Sequence, residues 1–210
     1  MGFTKKHLTQ VFIEISTIMH ENRDYLISLD QQNGDGDLGI SMDEGYRKVK
    51  EYLEQAEEVD LGKLFMQSAS VFNESAPSSL GTITAFALMG IAKQLKGKNE
   101  ANLPEVAGAI MAGIERIMEK GQSKPGEKTI LDSLYPAGLA LLDNKEKPFL
   151  VAFQVALRAA RDGSENTKSM RSVHGRAAYY GDKSIGLLDG GAEVGRLIFE
   201  AIMRYLERKK

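Results

Sequence analysis

Asn33-Gly-Asp-Gly-Asp-Leu-Gly-Ile-Ser-Met-Asp-Glu-Gly-Tyr-Arg-Lys-Val-Lys-Glu-Tyr-Leu53 carries two signals laid end to end. Its second half is helical: Met42, Tyr46, Val49 and Leu53 recur at three- and four-residue steps, so the spacing predicts a helix from Ile40 to Glu57. Its first half is a glycine-bent acidic loop. With Asp30 just before it, the loop places Asp30, Asp35 and Asp37 within eight residues, interleaved with Gly34, Gly36 and Gly39. Glycines let a backbone wrap tightly because they take positive φ without a Cβ clash. Crowded carboxylates repel one another unless a cation neutralises them, and oxygen ligands suit hard Mg2+ or Ca2+. A helix beginning at once offers free N–H groups to an anion. A metal followed by a phosphate fits this order, and a solvated Gly/Asp turn is the plain alternative. An EF-hand starting at Asn33 would put Asp35, Asp37 and Glu44 at positions three, five and twelve, but its sixth position, Leu38, is not the required glycine.

The same period runs outward in both directions. Residues 4–20 carry the stripe Leu8, Val11, Phe12, Ile15, Ile18 and Met19, and a short stretch over 22–29 contributes Tyr25, Leu26 and Leu29. Residues 61–73 continue with Leu61, Leu64 and Phe65. Pro77 then marks a boundary before an apolar helix reaching Ala92. Residues 103–119 start near Pro104 and Glu105, both favoured in a first turn. Thr129 caps a run from Ile130 to Leu142 that Pro136 interrupts, and residues 147–161 resume the period. A polar, glycine-bearing stretch from Gly163 to Gly191 precedes a last helix over 192–206. Strand alternation is essentially absent. The expectation is an all-α single domain, residues 1–210, of about eight antiparallel amphipathic helices.

Composition narrows the function. The 210 residues are 42% hydrophobic and 27% charged with formal net charge −2, which gives no electrostatic case for nucleic acid or a membrane surface. No apolar run reaches membrane-spanning length and the N-terminus lacks an apolar leader core, so a cytoplasmic protein is expected. Zero cysteines remove disulfides, thiol catalysis and zinc–thiolate sites. The loops around 30–39, 75–79, 121–129 and 176–191 are richer in Gly, Ser and charge than helix connections require. If they share one end of the helical array, they surround the carboxylates with backbone N–H groups.

Three motifs in register carry a resemblance. Gly34-Asp-Gly-Asp-Leu-Gly39, Lys124-Pro-Gly-Glu-Lys-Thr-Ile-Leu-Asp132 and Gly175-Arg-Ala-Ala-Tyr-Tyr-Gly-Asp-Lys-Ser-Ile-Gly186 resemble the ADP-binding L subunit of phosphotransferase-system-dependent dihydroxyacetone kinase. They are also similar to the nucleotide domain of ATP-dependent dihydroxyacetone kinases. The resemblance implies an eight-helix barrel with the nucleotide at one end. It implies that Asp30, Asp35 and Asp37 hold two Mg2+ ions bridging the phosphates of ADP or ATP. It places Leu38, Gly39, Ile40 and Ser41 at the phosphates, with Ser75, Ala76, Ser78 and Ser79 approaching from another side. Gly121 and Ile130 match the base pocket, Arg176 the transferring phosphate, and Asp189, Gly190 and Gly191 the closing rim. The implied partners are a hydroxyketone-binding K subunit and a phosphocarrier M subunit, with a homodimer left open.

The chain departs from that pattern at identifiable places. Leu38 stands where the family commonly has His, Ser41 where it has Asn, and Leu187-Leu-Asp-Gly-Gly191 where it has His-x-Asp-Pro-Gly. A glycine-rich serine loop has become Ser75-Ala-Pro-Ser-Ser79. A paralogue serving another ketose such as a tetrulose, a non-catalytic nucleotide sensor and a Ca2+-binding helical protein are the alternatives.

Overall fold

A computed structural model of the chain describes residues 2–209. Nine α-helices account for most of them: α1 (Lys5–Glu21), α2 (Arg23–Asp30), α3 (Leu38–Gln55), α4 (Leu61–Ser75), α5 (Ser79–Gln94), α6 (Leu103–Gly121), α7 (Leu131–Asp143), α8 (Phe149–Asn166) and α9 (Gly190–Arg208). Eight of them close a ring. Each of α3 to α9 packs on its sequence neighbour, and α1 closes the circle by packing on both α3 and α9. The short α2 lies outside, against α3 and α9. The barrel is therefore an up-and-down array in which antiparallel neighbours follow from short connections.

The ring works because each helix turns one apolar stripe inward. Met42, Tyr46, Val49 and Leu53 of α3 are buried together with Phe12 and Ile15 of α1, Phe65 and Phe72 of α4 and Phe199 of α9. Aromatic side chains tilt against one another around the lumen, Tyr46 and Phe72 at 4.8 Å between centroids. A residual apolar cavity of about 170 Å³ remains on the axis. Where α5 and α6 meet, side chains would not fit: a Cβ on Gly90 would lie 2.6 Å from Ala112 O, and one on Gly113 would lie 2.8 Å from Ala87 O.

Several boundaries differ from the sequence expectation. Helix α7 runs through Pro136 unbroken. Proline leaves the carbonyl of Asp132 without its helical donor, and the backbone of α8 closes on that oxygen at Gly163, where a Cβ would come within 2.0 Å of it. Helix α8 extends to Asn166, so the polar stretch is shorter than expected, and residues 176–184 within it form 3-10 turns. Two residues, Phe3–Thr4 (β1), pair antiparallel with Glu100–Ala101 (β2), a clip too short to show as alternation. No helix among the described residues is long and apolar enough to cross a membrane.

Candidate functional site

In an up-and-down ring, alternate helices start at the same end. Here α3, α5, α7 and α9 all begin around one cleft: Leu38, Ser78 and Ser79, Ile130, and Asp189, Gly190 and Gly191 line it together. The cleft encloses about 990 Å³. Every helix N-terminus carries unpaired N–H groups and the positive end of its dipole, so four of them make an anion-favouring end. Ser78 and Asp189 cap their helices, accepting from Gly81 N at 3.1 Å and Ala192 N at 2.7 Å.

The acidic loop forms the cleft's negative corner. Oxygens of Asp30, Asp35 and Asp37 lie within 4.8 Å of one another. Asp30 is oriented by Gly36 N, which donates to its Oδ2 at 2.7 Å. The glycines are steric necessities: a Cβ on Gly34 would sit 2.1 Å from Asp30 Oδ1, and Gly36 has φ +80°. Burial, then the charges of Asp35 and Asp37's other neighbour Asp30, push the Asp37 carboxyl above its ordinary value. The donor set is hard oxygen on a preformed loop, which fits Mg2+ or Ca2+. Glu44, the twelfth residue of the EF-hand register, points elsewhere and pairs with Arg47 on α3 at 2.5 Å. The EF-hand reading is therefore set aside.

Arg176 enters from the opposite rim and pairs with Asp35, Nη2 to Oδ2 at 2.8 Å. Gly121 leaves the far end of the cleft open, since a Cβ there would approach Ile83 Cδ1 to 3.0 Å. Ile83, Ile117 and Ile130 make that end apolar. Leu38 closes on Gly190, where a Cβ would meet its Cδ2 at 2.5 Å. The two departures at 38 and 190 are thus one contact.

Five of the residues matched by resemblance do not line the cleft. Gly39 is turned away and lets α2 cross α3, as a Cβ would lie 2.2 Å from Arg23 O. Ile40 is exposed outside the cleft and Ser41 is buried in α3. Ser75 ends α4, and Ala76 is fully buried as its C-cap. The loop contribution thus narrows to Pro77, Ser78 and Ser79, because α4 runs two residues further, to Ser75, than the expected 61–73.

Other cleft residues were assigned no role from the sequence. Lys128 and His174 both line it. Lys128 is 3% exposed at φ +59° and donates to three backbone carbonyls. His174 Nε2 meets Glu127 Oε2 at 2.6 Å. Asp132, buried on α7, shapes the neighbouring loop by accepting from Gly126 N at 2.5 Å and Thr129 N at 2.7 Å. The Gly-x-Lys-Thr run at 126–129 was the visible hint, but it names no partner.

Asp189 carries a checkable electrostatic cost. Its carboxyl sits deep at the cleft wall, and desolvation pushes it up to about 6, against the pull of Ala192 N and Lys128. A raised carboxyl stabilises the fold fully below its ordinary value near 3.8, and that stability is lost as pH rises through about 6. Asparagine caps a helix as well as aspartate. Asp189→Asn should therefore stabilise the empty protein at pH 7 by on the order of 1–3 kcal/mol. The gain should shrink toward pH 4, as read by denaturant melts across that range.

Comparison with known proteins agrees with this fold. The DAK2 domain model matches residues 32–204. The chain is 28% identical over 202 residues to the ADP-binding subunit DhaL of PEP-dependent dihydroxyacetone kinase 2 from Listeria innocua, covering 94% of this chain and 93% of that one. It is 31% identical over 186 residues to the corresponding subunit of kinase 1 from the same organism, covering 89% of each. The dihydroxyacetone kinase from C. freundii, solved in complex with AMP-PNP and Mg2+, superimposes with TM-score 0.75 at 23% identity. That match covers 93% of this chain and 33% of the longer one, and it speaks for the fold.

Proposed function

The chain belongs to the DAK2 domain family, and from that premise we propose that it is the Mg2+–nucleotide-binding subunit of a kinase for dihydroxyacetone or a related ketose. The observation that carries the reading is the meeting of three carboxylates and Arg176 at a cleft into which four helix N-termini open. In this reading Asp30, Asp35 and Asp37 hold two Mg2+ ions, which supply charge that offsets the phosphates during phosphoryl transfer. The N-termini at Leu38, Ser78–Ser79 and Asp189–Gly191 receive phosphate oxygens through backbone N–H groups. The apolar end at Gly121 and Ile130 receives the base.

Arg176 has a two-position role. In the empty protein it neutralises Asp35. When that carboxylate turns to a cation, the guanidinium is released toward phosphate oxygens, where its planar fork suits a shifting negative charge. The group received is passed on to a hydroxyketone on a separate K-type subunit, and a phosphocarrier replenishes the nucleotide.

Ligand-dependent stabilisation tests the assignment. ADP with Mg2+ should raise the melting temperature in a concentration-dependent way, as expected for a ligand that binds the folded state alone. Ca2+ without nucleotide should not reproduce the shift. No shift with ADP, ATP or both with Mg2+ removes the function. Arg176→Ala should keep ADP binding within about tenfold of wild type and lower transfer by about 100-fold or more. A wild-type transfer rate in that variant takes Arg176 out of the site.

One observation favours a second reading. The Leu38–Gly190 contact puts an aliphatic wall where the family pattern has imidazole and proline. A subunit that retains nucleotide without transferring phosphate is consistent with that wall, and the transfer assay separates the two.

A further inference from the structure

We propose that Lys128 is a positioning residue that pins the 167–189 segment across the cleft and so places Arg176, rather than a phosphate ligand. The proposal rests on the reading of the cleft as a nucleotide site. Lys128 is the one lysine lining the cleft among the described residues, and it precedes a threonine in a glycine-containing loop. That setting invites assignment to phosphate. The geometry argues otherwise.

An ammonium has three N–H donors and no acceptor. Lys128 Nζ donates to Ser184 O at 2.5 Å, to Leu187 O at 2.6 Å and to Met170 O at 3.2 Å. All three donors are used, by carbonyls 42 to 59 residues away in the chain. A reach toward phosphate would take the donor from Met170 O and Leu187 O and leave Ser184 O with only its 3.4 Å bond from Leu187 N, which is costly. The backbone of Lys128 is held at φ +59°, a region non-glycine residues seldom occupy. Such conformations persist where the surroundings over-determine them. Burial lowers the ammonium's pKa, and the nearby Asp189 charge opposes that shift.

The segment so pinned is a unit in its own right. Ser172 N donates to Ser184 Oγ at 2.9 Å, Gly186 N to Lys168 O at 2.7 Å and Asp189 N to Thr167 Oγ1 at 3.0 Å. Apart from its continuity with α8 and α9 and the packing of Leu188 on the core, its joints to the barrel among the described residues are those of residues 127 and 128 and the Arg176 pair. Glu127, next to Lys128, meets His174 at 2.6 Å, directly before Gly175 at φ +63° and Arg176. Arg176 itself is largely exposed, and among the described residues its one ion pair is with Asp35 across the cleft. Its location is therefore inherited from the segment, whose ends follow α8 and α9 and whose middle is held by residues 127 and 128.

The test uses Lys128→Met, an unbranched side chain of similar length without donors. In the nucleotide-free protein, hydrogen exchange at Ser172, Gly186 and Asp189 should accelerate by at least roughly tenfold, while α4, α5 and α6 keep their protection. In ADP–Mg2+ binding, Lys128→Met should cost about tenfold in the wild-type background and almost nothing further in Arg176→Ala, because both changes remove the same contact. Unchanged exchange in the segment overturns the proposal, and so does a loss of affinity that adds fully to that of Arg176→Ala, which points to a separate phosphate contact. If Lys128→Met does not fold, His174→Ala cuts the neighbouring clasp alone. Faster exchange confined to 172–178 then supports the pinning, and unchanged exchange there overturns it. Exchange in the empty protein decides the anchoring even if no nucleotide binds, so its failure and that of the functional reading are told apart.

Discussion

Asp37→Asn and Asp35→Asn should each lower Mg2+-dependent ADP affinity by about 100-fold or more while leaving the empty barrel folded. Outer partners of metal ligands already cost about 10- to 100-fold when removed, and these carboxylates would touch the ion itself. The second half of the expectation follows from crowding. Asp37 is pushed up by burial and by Asp35 and Asp30, with Arg176 pulling the other way. Its ionised form is thus a burden on the empty protein. The sign is that of a raised carboxyl: the stability it contributes is present below its ordinary value of 3.8 and is lost as pH rises through its raised one. Asn does not titrate, so the variant should melt above wild type at neutral pH and match it in acid. No cap is lost, because the Asp37 side chain makes no capping bond to α3. Asp35→Asn should behave differently in the empty state, since it also releases Arg176 from its 2.8 Å partner. Calorimetric titration of ADP with and without Mg2+ measures the first effect, and thermal melts against pH measure the second. Wild-type Mg2+-dependent affinity in both variants would reduce the loop to a turn.

The second large effect is all-or-none. The purified chain, given ATP, Mg2+ and a hydroxyketone, should form no ketose phosphate, and product should appear only when a hydroxyketone-binding K-type subunit is added. Phosphoryl transfer requires donor and acceptor in line at close range. A carbonyl substrate would need a free nucleophile or base in the cleft, and neither candidate is free. Lys128 is committed to three carbonyls, and His174 to Glu127, whose carboxyl that contact holds below its ordinary range. The acceptor must come in on another surface. The rim expected to meet it carries Tyr179, 92% exposed, with Tyr180, Val173 and Ile185 also uncovered. With a phosphocarrier subunit present, turnover should continue on substoichiometric ADP without free ATP. Ketose phosphate formed with each partner omitted in turn is the measurement. Efficient product formation by this chain and ATP alone makes it a self-sufficient kinase.

The helices and the acidic corner were legible in the sequence for a common reason: both are local. A helix that buries one face writes that face every three or four residues, as Met42, Tyr46, Val49 and Leu53 do. Three carboxylates on a glycine-bent loop are close in space because they are close in the chain. Even so, the resemblance placed Gly39, Ile40, Ser41, Ser75 and Ala76 at the nucleotide, whereas these five residues do not line the cleft. Spacing gives the face of a helix but not what lies against that face; α2 crossing at Gly39 is visible only in three dimensions.

What tertiary structure alone decided is the set of pairings across the chain. Closing α1 onto α9 brings the starts of α3, α5, α7 and α9 to one end, and no segment carries a record of that closure. Arg176 on Asp35, His174 on Glu127, Leu38 against Gly190 and Lys128 under the carbonyls of 170, 184 and 187 each join residues tens to more than a hundred positions apart. In the last case the acceptors are backbone oxygens, which every residue type possesses, so the side chains of Met170, Ser184 and Leu187 say nothing about the lysine they receive.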